Sequence, residues 1–127
     1  MINFLMISLL MIRCAHSLNI MYFIHIIKWV SFFMIDMCEF LKLSNINVID
    51  LRSADRYDIN HIPGSINIPY ESLIIDPFKF LSKNSKYYLY CESGVTSKSV
   101  CNILSKIGFD VVNINGGFKK WLLSKEY

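Results

Sequence analysis

None of the four cysteines, Cys14, Cys38, Cys91 and Cys101, forms a C-x-x-C pair, and none stands in a His/Cys cluster with zinc spacing. A zinc site and a paired-thiol redox motif therefore have no basis in this chain. A disulfide framework is not expected either, because the later two-thirds of the chain carries enough apolar residues for an ordinary core. Reduced thiols in a cytoplasmic compartment are the expectation. A long basic cluster is also missing, and with a net charge of +3 composition makes no case for nucleic acid as a partner. There is no internal repeat and no low-complexity linker. The 127 residues thus read as one domain, or one domain with an appendage.

The appendage is residues 1–32, ahead of a domain over residues 33–127. Met1–Ile12 is apolar apart from Asn3 and Ser8, and Leu18–Ile35 is apolar except for Asn19, His25, Lys28 and Ser31. All six methionines lie in the first 37 residues. An export signal fits badly, since no basic region precedes the first apolar run and no small-x-small site follows it. Two readings stay open. Leu18–Ile35 has about the minimum length for a membrane anchor, although Lys28 would cost roughly 2.5–3.5 kcal/mol near the middle of a span. Alternatively, the segment is translated AT-rich DNA upstream of a true start at Met21 or Met34, a reading suited to a chain rich in Ile, Asn, Lys, Phe and Tyr.

From Asp36 onward the pattern is globular. Asp36 and Glu39 have capping-box spacing for a short helix with Phe40, Leu41 and Leu43 as apolar contacts. Asn45 and Asn47 mark a turn. Val48–Leu51 reads as a buried strand, Ala54–Asn60 as a short exposed helix, and His61–Gly64 as a turn. Ser65–Ile68 alternates polar and apolar, as a half-buried strand does. Tyr70–Ile75 and Pro77–Leu81 read as helical turns. Tyr87–Tyr90 and Val111–Ile114 are further strands, and Phe118–Leu123 is a last helix carrying Trp121. Strand and helix alternate, which predicts an α/β sandwich with a mainly parallel central sheet.

Sites in such folds form beyond the carboxyl ends of strands. Asp50-Leu51-Arg52 and Cys91 both occupy such ends. After Cys91 comes a tight loop, C-E-S-G-V-T-S, and then a helix with Val100, Ile103, Leu104 and Ile107 on one face and Gly108 at its stop. Backbone N–H groups and the helix start converge there on a thiolate or a bound anion. Gly94 permits the turn, while Thr96 and Ser97 offer hydroxyl donors and helix caps. Phosphatase, redox and sulfur-transfer chemistry all use such a cysteine.

Four stretches in order, V-I-D-L-R at Val48–Arg52, R-Y-D-I-N-H-I-P-G-S-I-N-I-P at Arg56–Pro69, C-E-S-G-V-T-S at Cys91–Ser97 and N-I-N-G-G-F-K-K-W at Asn113–Trp121, resemble a single-domain rhodanese. The resemblance spans Phe33 to Tyr127, nearly three-quarters of the chain. It implies a rhodanese-like three-layer sandwich with a five-stranded, mainly parallel sheet flanked by helices. It also implies sulfur transfer through a persulfide on Cys91, with no metal or organic cofactor. Glu92, Ser93, Gly94, Val95, Thr96 and Ser97 would then form the substrate- or anion-binding loop, with Asp50 and Arg52 supporting it through an ion pair or backbone bonds. Rhodanese-like phosphatases have a longer loop closed by an Arg; the sixth position after Cys91 holds Ser97.

The expected partners are thiosulfate, a small persulfide or a protein persulfide as donor, and a thiol or cyanide as acceptor. Many relatives have a basic residue after the cysteine, or an Arg closing the loop; Glu92 and Thr96 stand there in this chain. Glu92 should make the entrance less positive and weaken capture of the thiosulfate dianion. The competing expectation is a non-catalytic interaction module, against which an intact Cys91 argues. His61 reads as structural, Cys101 and Cys38 as small buried apolar groups, and Lys98 as a solvated first-turn lysine.

Overall fold

A computed structural model describes residues 34–126; the extension expected over residues 1–32 and the alternative start at Met21 lie outside them. Five strands, β1 (Met34–Ile35), β2 (Asn47–Asp50), β3 (Ser65–Asn67), β4 (Lys86–Tyr90) and β5 (Asp110–Ile114), form one sheet in the order β1-β5-β4-β2-β3. Every pairing is parallel. The helices are α1 (Met37–Phe40), α2 (Ala54–Ile59), α3 (Tyr70–Ile75), α4 (Pro77–Phe80), α5 (Val95–Ile107) and α6 (Gly117–Ser124). Among the described residues, no helix is long and apolar enough to cross a membrane.

Alternation along the strands builds two cores. Ile49, Leu89, Cys91 and Val111 point to one face, where they pack with Leu73 of α3 and Val100, Cys101 and Leu104 of α5. Val48, Tyr90 and Ile114 point to the other, against Met37 and Phe40 of α1 and Phe118 and Trp121 of α6. Strands covered on both faces carry near-continuous apolar runs, which is why V-I-D-L and V-V-N-I are so hydrophobic. The result is the three-layer α/β sandwich with a five-stranded parallel sheet.

Several local expectations are corrected. Met34 and Ile35, the last two residues of the apolar stretch Leu18–Ile35, form an edge strand paired with Asn113 and Ile114; the rest of that stretch, and with it the anchor expectation, lies outside the described residues. Asp36 precedes α1 but makes no side-chain cap bond; Glu39 pairs with Lys42 at 3.0 Å instead. Leu41 and Leu43 are exposed, leaving Phe40 as the buried contact. In β3 the pattern is inverted: Ser65 is buried and Ile66 is 57% exposed. Ser65 turns inward because its hydroxyl donates to the Ile62 carbonyl at 2.7 Å and meets the Tyr90 hydroxyl at 3.0 Å. Cys38 is exposed rather than buried, on a one-turn helix whose inward positions are Met37 and Phe40.

Candidate active site

The chain leaves β4 at Tyr90 and turns through Cys91–Gly94 into α5. Gly94 takes φ +92, and a Cβ there would lie 2.9 Å from the Gly116 nitrogen. A larger residue would be strained by its backbone and by that neighbour. The turn aims two backbone donors at one sulfur. The Gly94 N–H reaches Cys91 Sγ at 3.2 Å and the Ser97 N–H reaches it at 3.3 Å. Cys91 is 6% exposed, so bulk water does little to solvate the sulfur. Oriented N–H groups of this kind suit a sulfur anion or its sulfur-extended form.

A second helix braces the loop from behind. The Phe118 N–H donates to the Cys91 carbonyl at 2.9 Å and the Lys119 N–H to the Glu92 carbonyl at 3.0 Å. Those are free N–H groups of the first turn of α6. Their approach needs Gly117, where a Cβ would collide with the Cys91 carbonyl oxygen. The double glycine therefore does more than turn the chain back toward the sheet.

Asp50 and Arg52 sit beside this loop, at the end of β2. Asp50 is 0% and Arg52 7% exposed. The Arg52 Nε lies 3.1 Å from both Asp50 carboxylate oxygens, its Nη2 lies 2.8 Å from Oδ2, and its backbone N–H reaches Oδ1 at 2.8 Å. Tyr90 donates its hydroxyl to Asp50 Oδ2 at 2.6 Å. Burial, followed by the bond to Asp50, raises the Tyr90 phenol well above its ordinary range. The guanidinium also donates to the Asn60 carbonyl at 2.7 Å and lies 3.8 Å above the Phe118 ring. A buried pair held by this many bonds fixes the ends of β2 and β4 against α6.

Outside it lies an open cleft of about 260 Å³ lined by Arg52, Arg56, Ile59, Asn60, Glu92 and Phe118. Glu92 Oε2 stands 3.2 Å from Arg56 Nη1 and 3.5 Å from Arg52 Nη1. The glutamate is thus paired, where the sequence left it standing alone beside Cys91. Arg56 was not foreseen, since A-D-R-Y reads as an ordinary exposed helix.

The expected loop residues divide. Gly94 and Ser97 contact the sulfur, Glu92 faces the arginines, and Ser93, Val95 and Thr96 are exposed. Neither Thr96 nor Ser97 caps α5, whose cap position is Gly94 without a side-chain bond. The Ser97 hydroxyl instead donates to Asn113 Oδ1 at 2.5 Å. Asn113 was missed as a site neighbour, although an asparagine inside V-V-N-I, a run meant for two covered faces, was a usable signal. His61 stacks on Tyr57 with centroids 3.8 Å apart, and its Nδ1 meets the Tyr57 carbonyl at 2.8 Å, away from the sulfur's contacts. Cys101 is buried; burial, then the neighbouring Cys91, pushes its thiol up to about 12. No group of three or more His, Cys, Asp or Glu side chains among the described residues is placed to hold a metal ion.

The rhodanese-like domain profile matches residues 36–124. The chain is 31% identical over 84 residues to a thiosulfate sulfurtransferase, GlpE, of Coxiella burnetii, a match covering 65% of this chain and 78% of that protein. It is 31% identical over 78 residues to Bacillus subtilis YrkF, covering 61% of this chain but 42% of YrkF. The chain thus spans less than half the length of that relative. The crystal structure of a rhodanese-like domain protein from Staphylococcus aureus superposes with a TM-score of 0.61 at 29% identity, over 70% of this chain and 90% of that one.

Proposed function

This chain belongs to the rhodanese-like domain family, and from that premise we propose that it is a sulfurtransferase whose Cys91 carries sulfane sulfur as a persulfide. The observation that supports this most is the Cys91 sulfur itself, buried at a strand end and met by the Gly94 and Ser97 N–H groups. The thiolate attacks the outer sulfur of the donor. A Cys91 S–S bond forms as the donor's S–S bond breaks, and the electron pair leaves with the donor's remainder, sulfite from thiosulfate or a thiolate from a persulfide. In the second half an acceptor thiolate or cyanide takes the outer sulfur and returns Cys91 as thiolate. The N–H pair stabilises the negative sulfur in both halves without a basic side chain.

The charges at the mouth bear on the donor. Arg52 is matched by Asp50 and Arg56 by Glu92, so the cleft offers a dianion little net attraction. A small or protein-bound persulfide is therefore the better donor in this reading, and thiosulfate the poorer one. The first test is mass spectrometry after incubation with donor. The wild type should gain about 32 Da, one sulfur, on the peptide holding Cys91, and Cys91→Ser should gain nothing. An unmodified wild type with every donor tried would favour a non-catalytic interaction module.

A further inference from the structure

We infer that Asn113, Asn115 and Asp36 are positioning residues that fix the direction of the Ser97 hydroxyl and so restrain the Cys91 sulfur. This deepens the reading of Cys91 as the reacting group, but it stands on geometry that is independent of sulfur transfer. Ser97 Oγ lies 3.3 Å from Cys91 Sγ and 2.5 Å from Asn113 Oδ1. Ser97 and Asn113 are 0% and 2% exposed. A hydroxyl has one proton to give, and here it goes to Asn113. The thiol then donates to Ser97 Oγ, rather than the hydroxyl to the sulfur.

The direction is fixed from a distance. Asn113 Nδ2 donates to Asn115 Oδ1 at 3.2 Å, and Asn115 Nδ2 donates to Asp36 Oδ1 at 3.1 Å. An ionised carboxylate only accepts. Every bond from Cys91 to Asp36 therefore runs the same way, and reversing the chain would press the Asn115 oxygen against the Asp36 carboxylate. The parallel β1–β5 pairing, with Ile35 opposite Ile114, brings Asp36 to this place. Its side chain forgoes the helix cap it is positioned to make.

When Cys91 gives its proton to a solvent base, the sulfur anion keeps the two N–H bonds but does not gain the hydroxyl. Turning that hydroxyl to sulfur would leave the buried Asn113 oxygen without a donor, which is costly. Asp36 thus holds the thiolate less favourably than the loop alone would. In D36N the new amide can accept or donate, so Asn115 and Asn113 are free to turn over. Asn113 Nδ2 then donates to Ser97 Oγ, and the Ser97 proton serves the sulfur.

The test uses the full chain and reads iodoacetamide alkylation of Cys91 at neutral pH, in which the thiolate displaces iodide, resolved by peptide mass spectrometry. D36N should alkylate about fivefold faster, the scale of one redirected hydrogen bond. The gain should survive about 0.5 M salt, which screens a simple loss of surface charge. It should vanish in the S97A background, with D36N/S97A alkylating at the rate of S97A. A D36N rate equal to wild type, or a gain that persists without the Ser97 hydroxyl, would overturn the inference. The two readings fail separately: alkylation changes even if no donor loads sulfur, and sulfur loading proceeds even if D36N is inert.

Discussion

Cys91 lies between two polar regions of opposite construction. On the β2 side the groups are charged and meet side chain to side chain: Asp50 with Arg52, and Glu92 with Arg56. On the β5 side the groups that meet the sulfur are neutral, two backbone N–H groups and the Ser97 hydroxyl, and the Asp36 carboxylate is reached only through Asn113 and Asn115. Buried charges hold elements in place strongly but are punishing when unpaired. Oriented backbone dipoles stabilise an anion without a competing counterion. In the proposed reading, fastening falls to one side and chemistry to the other.

The largest effect is expected where fastening is most buried. Arg52→Leu leaves Asp50 uncompensated and should cost about 3–5 kcal/mol, read as a fall in the urea midpoint. The equivalent break at the rim, Glu92→Gln, should cost under about 1 kcal/mol, because Arg56 and Glu92 are 61% and 32% exposed. Equal losses in the two variants would erase the division between buried fastening and rim. On the chemical side, Gly117→Ala drives a methyl into the Cys91 carbonyl at φ +58. It should slow sulfur loading by roughly a hundredfold while costing about 2 kcal/mol of stability; unchanged loading in a folded variant would show that the brace by α6 is dispensable.

Charge at the mouth should have a smaller, donor-specific effect. Glu92→Arg is expected to raise kcat/KM for thiosulfate about tenfold and to leave loading from a neutral persulfide unchanged. No rise with thiosulfate would sink the electrostatic account of donor choice. A last effect, confined to alkaline pH, concerns Cys101. Its folded thiol, at about 12, lies above the ordinary 9.0, so the folded state binds the extra proton at alkaline pH. That contribution to stability is complete below the ordinary value and is lost as pH rises toward the folded one. Cys101→Ala should flatten the fall in stability between about pH 8 and pH 10 by on the order of 1 kcal/mol relative to wild type. Parallel curves for the two proteins would count against burial as the cause.

Much of this was legible in the chain because it is local. Strand–helix alternation placed β2, β4, β5 and α5, and C-E-S-G-V-T-S announced a loop at a strand end. What stayed hidden depends on partners far along the sequence. β1 was lost because Met34–Ile35 ends an apolar stretch, and hydropathy reads a two-residue edge strand and a membrane span alike. Ser65 was set outward because its inward partner, the Tyr90 hydroxyl, is 25 residues away. Glu92 looked unpaired because Arg56 reaches it only after β2 and β4 pair. Asp36 was given a local cap, yet its carboxylate serves Asn115, 79 residues on.

The central claim, that Cys91 is a sulfur carrier held mainly by backbone, is tested most directly by a discharge experiment. Protein incubated with a persulfide donor is freed of donor, then given a thiol acceptor, and both species are followed by mass. The account predicts one extra sulfur on the Cys91 peptide that disappears as one equivalent of sulfane sulfur appears on the acceptor. A Cys91 that never loads, or a loaded Cys91 that keeps its sulfur with acceptor present, would contradict it.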